Sequence, residues 1–147
     1  MNGARYSPNT KMRVLFICIG NSCRSQMAEG FARKYGSDVM IAASAGLSPA
    51  FMVAPDTLRA MDEKNIDLRD HFPKGLKQLG RGVPGSQFDL IVNMSGYDLP
   101  PEVTTPVRQW DVADPISEDY ETHCQIRDEI EKLVMGLVLE LRRGVPR

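Results

Sequence analysis

A cysteine and an arginine separated by five residues enclose a short polar loop near the start of the chain. This segment, named here the cysteine loop, reads Cys18-Ile19-Gly20-Asn21-Ser22-Cys23-Arg24-Ser25. A loop of this length can curl so that its backbone N–H groups converge on one point and bind an anion. Arg24 would add two parallel N–H donors that match a tetrahedral oxyanion such as phosphate. Because a helix N-terminus and a guanidinium both favour a thiolate, the pattern predicts that Cys18 attacks the bound oxyanion.

The other residues of the cysteine loop are expected to bind the substrate or to support the conformation of the loop. The predicted substrate-binding residues are Ile19, Gly20, Asn21, Ser22, Cys23 and Ser25. Asn21 tolerates a positive φ and is expected to tie the loop together. Ser25 either donates a hydrogen bond to the Cys18 thiolate or acts only as the N-cap of the next helix. Cys23 is interpreted mainly as a packing residue, with a protective disulfide to Cys18 under oxidation as the functional alternative.

An acidic stretch further along the chain offers a proton donor. A thiolate that attacks phosphate needs a group to protonate the departing oxygen, and Asp114 directly precedes Pro115. A residue before proline is held extended, which lets the carboxylate of Asp114 point out of its loop. General-acid catalysis of this kind contributes roughly 10²–10⁴ in rate. A solvated acidic loop is the structural alternative, since further acidic residues follow at Glu118, Asp119 and Glu121.

These residues need a scaffold in which a strand ends at Cys18 and a helix begins near Arg24. An unbroken apolar run indicates a buried strand over residues 12–18, and helical spacing follows from Ser25 to Gly36. Further strands are predicted at 39–43, 88–94 and 107–112, further helices at 55–64 and from about 126 to Gly144, and loops at 44–54 and 75–85. Strands that alternate with helices predict an α/β fold with a parallel sheet and helices on both faces. Ligands bind such sheets beyond the carboxyl ends of the strands, where Cys18 lies.

Length and composition indicate one small domain. Of 147 residues, 42% are hydrophobic and 25% charged, which fits a single globular core. We predict a flexible N-terminal arm over residues 1–11, a single catalytic domain over 12–143 and a tail over 144–147. The net charge of -1 argues against nucleic acid or a membrane as partner. The lack of a signal segment or a membrane-spanning run, and three cysteines without a disulfide framework, predict a cytoplasmic protein.

Metal and cofactor chemistry are not expected. Zinc sites need four ligands with a second close pair, whereas His71 and His123 stand alone in the sequence. We therefore predict no metal ligands and no cofactor. A module that binds an oxyanion without turnover is a non-enzymatic alternative, but it would not need Asp114 before Pro115.

With these residues identified, the chain resembles the low-molecular-weight protein tyrosine phosphatase superfamily from Arg13 to about Val134. The matching motifs are the cysteine loop, SAG at 44–46, IDLRDH at 66–71, FDLIV at 88–92 and DP at 114–115. The resemblance implies a three-layer α/β fold with a four-stranded parallel sheet flanked by helices. It also implies a phosphocysteine mechanism with Cys18 as nucleophile, Arg24 as oxyanion clamp and Asp114 as general acid. His71 matches a position that supports the loop.

The finer wording is similar to the arsenate reductase branch of that superfamily. The similar segments are NSCRSQMAEGF at 21–31, Trp110 and IRDEI at 126–130, and Gln26 replaces the proline more typical of tyrosine phosphatases. Thioredoxin-coupled arsenate reductases need two further cysteines, the first of which falls at Ser95 here. A serine cannot attack an arsenylated cysteine and form a disulfide. Since Cys124 is expected to be structural, three-cysteine arsenate reduction is not expected.

Two enzymatic hypotheses follow. The favoured one is a phosphatase that hydrolyses phosphomonoesters, with a phosphorylated protein or a small phosphoester as substrate. The alternative is an arsenate reductase in which an external low-molecular-weight thiol or a glutaredoxin-like partner performs the reduction. For the phosphatase, Phe51 and Met52 lie where the family often places one wall of its pocket. Ser22, at the apex of the cysteine loop, is expected to influence the choice among phosphotyrosine, phosphoarginine and small phosphoesters.

Overall fold

A four-stranded parallel sheet forms the centre of the molecule. The computed structural model describes residues 10–144, so most of the predicted N-terminal arm and C-terminal tail lies outside the described residues. The strands are β1 (Met12–Cys18), β2 (Met40–Gly46), β3 (Leu90–Asn93) and β4 (Val107–Gln109), in the order β2-β1-β3-β4. The predicted α/β fold with a four-stranded parallel sheet is confirmed.

Three α-helices pack on one face of the sheet. They are α1 (Arg24–Tyr35), α2 (Pro55–Asp62) and α3 (Tyr120–Arg142). Phe31 of α1, Met61 of α2 and Ile130 of α3 are fully buried in one apolar cluster with Phe16 and Val92 of the sheet. Helix α3 begins six residues before its apolar pattern, because the side chain of Asp119 caps it by accepting from the Thr122 N–H at 2.8 Å.

The opposite face has a smaller core. Leu15, Ile17 and Ile91 of the sheet pack there against Leu76, which belongs to a short 3-10 helix at Leu76–Gln78. This 3-10 helix and the segments around it cover the second face in the place of an α-helix. The glycines and the proline of residues 75–85 disfavour a longer helix at this position.

Pairing with β1 sets the ends of the other strands. Strand β2 runs to Gly46 and not to residue 43, because it pairs with β1 along its whole length, from Met12–Met40 to Cys18–Gly46. The predicted loop therefore begins at residue 47 and not at 44. Strands β3 and β4 are shorter than predicted, and β4 lies at the sheet edge, where Val107 is exposed. The carboxyl ends of β1, β2 and β3 lie side by side at one end of the sheet.

Candidate active site

The cysteine loop connects the end of β1 to the start of α1 at the end of the sheet where the carboxyl ends of the strands lie. Asn21 has φ 52°, the left-handed conformation expected for it. The segment after β2 is fastened to the loop, since Ser48 N–H donates to the Ile19 carbonyl at 2.8 Å and Ala50 N–H to the Gly20 carbonyl at 2.9 Å. The segment after β2 therefore holds the loop by a series of backbone hydrogen bonds.

Gly46 lies against the cysteine loop at a distance that only glycine permits. A β-carbon at this position would lie 2.7 Å from the Ile19 carbonyl oxygen and 2.9 Å from the Asn21 nitrogen. Both are backbone atoms, so the loop itself would have to move. This explains in physical terms why the SAG motif at 44–46 ends in glycine.

Replacing Gly46 by alanine is expected to displace the cysteine loop. We expect the free energy of unfolding to fall by about 1–3 kcal/mol, as for other overpacked sites, and phosphate affinity to fall with it. Chemical denaturation and phosphate titration measure the two effects. Gly136→Ala is the matched control, because nothing lies within 4 Å of the added β-carbon and alanine favours a helix. Equal behaviour of the two variants would contradict this account of Gly46.

Cys18 is the buried last residue of β1, and its sulfur contacts two groups of Ser25 in the first turn of α1. The Ser25 hydroxyl lies 2.9 Å from Cys18 Sγ, and the Ser25 backbone N–H donates to the same sulfur at 3.4 Å. Ser25 is the second residue of α1 and makes no N-cap contact, because Cys23 occupies the N-cap position without a capping side chain. The N-cap interpretation of Ser25 is therefore wrong, and the contact with Cys18 is the one observed.

The guanidinium of Arg24 is buried and held by two loops. Its Nη1 donates to the carbonyls of Met94 at 2.5 Å and Val112 at 2.9 Å, and Nη2 lies 3.3 Å from Asp114 Oδ2. Its Nε is buried and has no hydrogen-bond partner among the described residues. A buried N–H without a partner is costly, so a ligand that accepts from it is favoured. Arg24 is therefore not a solvated surface residue.

A cavity of about 180 Å³ opens above the loop. The residues that line it are Cys18, Ile19, Gly20, Ser22, Cys23, Arg24, Ala50, Asp114 and Ile116. The side chain of Asp114 is 34% exposed, and its Oδ1 accepts from the Ile116 N–H at 3.0 Å. The structure thus brings Asp114 to the cavity, although it is far from Cys18 in sequence. All of the predicted site residues line the cavity except Asn21 and Ser25.

The expected wall of Phe51 and Met52 is not observed. Phe51 is 98% exposed and neither residue lines the cavity; Ala50 and Ile116 form its apolar sides. The reason is the backbone pairing of this segment with the cysteine loop, to which the Ser22 hydroxyl adds a bond to the Met52 carbonyl at 2.9 Å. This bond also occupies Ser22, whose predicted influence on substrate choice stays a prediction.

Cys23 is a buried thiol beside the cavity. Burial raises its pKa to about 11. Because this pKa is raised, the thiol stays protonated at neutral pH. The described cysteines are free, and Cys124 lies on α3, half-buried beside Arg127.

We expect Cys23 to resist alkylation in the native protein. Iodoacetamide reacts with thiolates, so a protonated and buried Cys23 should stay unmodified at pH 7 and react only after unfolding in denaturant. Mass spectrometry of the peptides measures the modification at each cysteine. Modification of Cys23 in the folded protein at neutral pH would contradict its description as a buried, protonated thiol.

Gln26, Lys74 and Glu29 are polar residues that the sequence analysis did not assign to the site, and the first two contact Asn21 of the cysteine loop. Gln26 bonds to Asn21 and His71, and the backbone N–H of Lys74 donates to Asn21 Oδ1 at 3.0 Å. Burial lowers the pKa of the Lys74 ammonium. Glu29 is a buried carboxylate that accepts from the Ser44 hydroxyl at 2.5 Å and pairs with Arg33. The signal in the sequence is that Gln26 and Glu29 are polar residues among the buried residues of α1, where a polar side chain needs a partner.

Ser95 stands at the position where the resemblance to thioredoxin-coupled arsenate reductases would place a second cysteine. Ser95 follows β3, and its buried hydroxyl donates to Asn93 Oδ1 at 2.7 Å. Within residues 10–144 no group of three His, Cys, Asp or Glu side chains is arranged to hold a metal ion. None of the helices in that range has the length and apolarity needed to cross a membrane.

Comparison with known proteins places this geometry in a family. The model of the low molecular weight phosphotyrosine protein phosphatase family matches residues 13–100. A glutaredoxin arsenate reductase from Synechocystis is 29% identical over 88% of this chain and 98% of its own length. Arsenate reductase 1 from Bacillus cereus is 35% identical over 82% of this chain and 89% of its own.

Solved structures agree in fold. An arsenate reductase in the phosphate-binding state superposes with a TM-score of 0.79 at 30% identity, over 88% of this chain and 98% of the other. An arginine phosphatase from Geobacillus stearothermophilus gives a TM-score of 0.76 at 24% identity, over 90% and 94% of the two chains. The second likeness concerns the fold alone. With a family model that covers more than half of the sequence, the chain belongs to the low molecular weight phosphotyrosine protein phosphatase family.

Proposed function

We propose that this protein is a cysteine-dependent phosphatase that hydrolyses phosphomonoesters through a phosphocysteine intermediate. The observation that carries the proposal is the meeting of Cys18, Arg24 and Asp114 at one cavity. These are the nucleophile, oxyanion clamp and proton donor that the reaction requires. The family to which the chain belongs supports the same assignment.

Substrate binding uses the backbone of the cysteine loop and Arg24. The phosphoryl oxygens accept hydrogen bonds from loop N–H groups and from the Arg24 Nε, which has no partner within the described chain. The loop precedes the N-terminus of α1, whose dipole favours an anion. The apolar side chains of Ala50 and Ile116 then contact the leaving group.

The reaction proceeds in two displacements. The Cys18 thiolate attacks phosphorus, an S–P bond forms, and the P–O bond to the leaving group breaks while Asp114 protonates the departing oxygen. In the second step water attacks phosphorus and gives its proton to the Asp114 carboxylate. The S–P bond breaks, inorganic phosphate leaves and the Cys18 thiolate is restored. The Ser25 hydroxyl, 2.9 Å from the sulfur, stabilises the thiolate as leaving group.

Arsenate reduction with an external thiol is the second candidate, and the names of the relatives favour it. Arsenate would form an S–As bond with Cys18 and lose a hydroxyl group as water. An external thiolate then attacks the Cys18 sulfur, and the S–As electron pair passes to arsenic, which leaves as arsenite. A second thiol reduces the mixed disulfide. The reductant must come from outside because Ser95 stands at the site of the resolving cysteine.

A paired assay on the purified protein distinguishes the two candidates. Hydrolysis of phosphotyrosine and of phosphoserine is followed beside arsenite formation with thioredoxin, glutaredoxin–glutathione or mycothiol systems, with Cys18→Ser as control. Phosphate release without arsenite in any system supports the phosphatase. Arsenite formed only with a low-molecular-weight thiol system, with little phosphate release, overturns it in favour of the second candidate.

A further inference from the structure

We propose that Gln26 is a positioning residue for the Cys18 nucleophile, linking His71 and the cysteine loop in one directed chain of hydrogen bonds. This inference rests on the function proposed above, since it assigns Gln26 a part in preparing Cys18. Gln26 is the third residue of α1 and is fully buried. It does not line the cavity, so it acts through other residues.

The neighbours of Gln26 fix the orientation of its amide. Its Nε2 lies 3.2 Å from each of three acceptors, which are the Asn21 carbonyl, Asn21 Oδ1 and the Phe72 carbonyl. Rotating the amide by half a turn would set its oxygen against those acceptors, so the NH₂ group must face them. Oε1 therefore faces His71 Nδ1 at 2.9 Å, and that nitrogen carries a proton and donates.

The same reasoning fixes the rest of the chain. The Lys74 backbone N–H can only donate, and it donates to Asn21 Oδ1, so the Asn21 amide nitrogen faces Ser25. Asn21 Nδ2 then donates to Ser25 Oγ at 2.7 Å. With a lone pair used in this way, the Ser25 hydroxyl donates to the Cys18 thiolate at 2.9 Å.

Every bond from His71 to Cys18 consequently donates in the same direction. Hydrogen bonds arranged head to tail polarise one another, and the last donor of such a chain stabilises negative charge more strongly. The chain also holds Asn21 in its left-handed conformation, from which its side chain reaches both Gln26 and Ser25. Removing Gln26 would leave His71 without this acceptor and would weaken the hold on Asn21.

The test is Gln26→Met, which keeps the length of the side chain and removes both polar groups. The rate of Cys18 alkylation by iodoacetamide at pH 7 is measured by peptide mass spectrometry, beside kcat, KM and the unfolding midpoint. We expect alkylation and kcat to fall about tenfold, with KM changed less than about twofold, as for loss of a hydrogen bond that supports a charge. Gln125→Met, at an exposed position of α3, is the matched control and should change nothing.

A double-mutant cycle separates a relay from simple packing. If His71 acts through Gln26, then His71→Ala should give a similar loss, and the double variant should lose no more than Gln26→Met alone. If the losses of the two single variants multiply in the double variant, the proposal is overturned. An unchanged alkylation rate in Gln26→Met would overturn it as well. Should Gln26→Met fail to fold, Gln26→Glu serves instead, since it keeps the acceptor for His71 and loses the donor for Asn21.

The outcome for Gln26 is distinguishable from the outcome for the enzyme. Alkylation of Cys18 requires no turnover, so it reports on the chain even if the protein hydrolyses no phosphoester. A wild-type protein without phosphatase activity would refute the proposed function. Equal alkylation rates in wild type and Gln26→Met would refute the role of Gln26, whatever the activity.

Discussion

Replacing Cys18 by serine is expected to abolish phosphatase turnover, lowering kcat by about 10⁴-fold or more, as for loss of other enzymatic nucleophiles. The physical reason is that a hydroxyl at this position is a far weaker nucleophile than a thiolate at neutral pH. Because the loop backbone and Arg24 are unchanged, phosphate should still bind. Steady-state kinetics and phosphate titration together measure the two properties.

The matched control for this variant is Cys124→Ser. Cys124 lies on α3 and does not line the cavity, so the same substitution there should leave turnover within about twofold of wild type. Turnover in Cys18→Ser comparable to wild type would contradict the assignment of the nucleophile. Loss of turnover in Cys124→Ser would show that the cavity at the cysteine loop is an incomplete account of the site.

Asp114→Asn is expected to have an effect that depends on the leaving group. For phenyl phosphate, whose oxygen needs a proton as it departs, kcat/KM should fall by roughly 10²–10⁴-fold. For p-nitrophenyl phosphate, whose leaving group departs as a stable anion, kcat/KM should fall less than about tenfold. The informative quantity is the loss of kcat/KM for phenyl phosphate divided by the loss for p-nitrophenyl phosphate. The constant kcat/KM is used because it reports the formation of phosphocysteine and not its hydrolysis.

Asp111→Asn provides the control for charge. Asp111 is an exposed carboxylate three positions earlier, and it does not line the cavity. Its replacement removes the same charge from the same loop without removing the proton donor. A uniform loss in Asp114→Asn for both leaving groups, or an equal loss in Asp111→Asn, would contradict a proton transfer from Asp114.

The sequence predicted the part of the site that lies within one short segment. The strand over residues 12–18, the turn after Cys18 and the start of a helix near Arg24 agree with the structure within one residue. Local propensity and spacing decide these features, because the apolar run, Gly20 and the helical periodicity succeed one another along the chain. The positive φ of Asn21 also follows from local chemistry.

Features that depend on contacts distant in sequence were harder to predict. The extension of β2 to Gly46 comes from pairing with β1, and nothing within residues 44–46 indicates a strand. The carbonyls of Met94 and Val112 that hold Arg24 are backbone groups, which a sequence does not distinguish. The family resemblance places Phe51 at one wall of the pocket, but the bonds between its segment and the cysteine loop leave it in solvent.

The central claim is that Cys18 carries the phosphoryl group, and trapping that intermediate tests it most directly. Native protein is mixed with p-nitrophenyl phosphate, quenched in alkaline denaturant during the first turnovers, digested at alkaline pH and analysed by mass spectrometry. Acid is avoided because it hydrolyses the S–P bond of phosphocysteine. The account predicts one phosphoryl group on the peptide that contains Cys18, and none on that peptide in Cys18→Ser. Release of p-nitrophenol with no phosphoryl group on Cys18, or with the group on another residue, would contradict it.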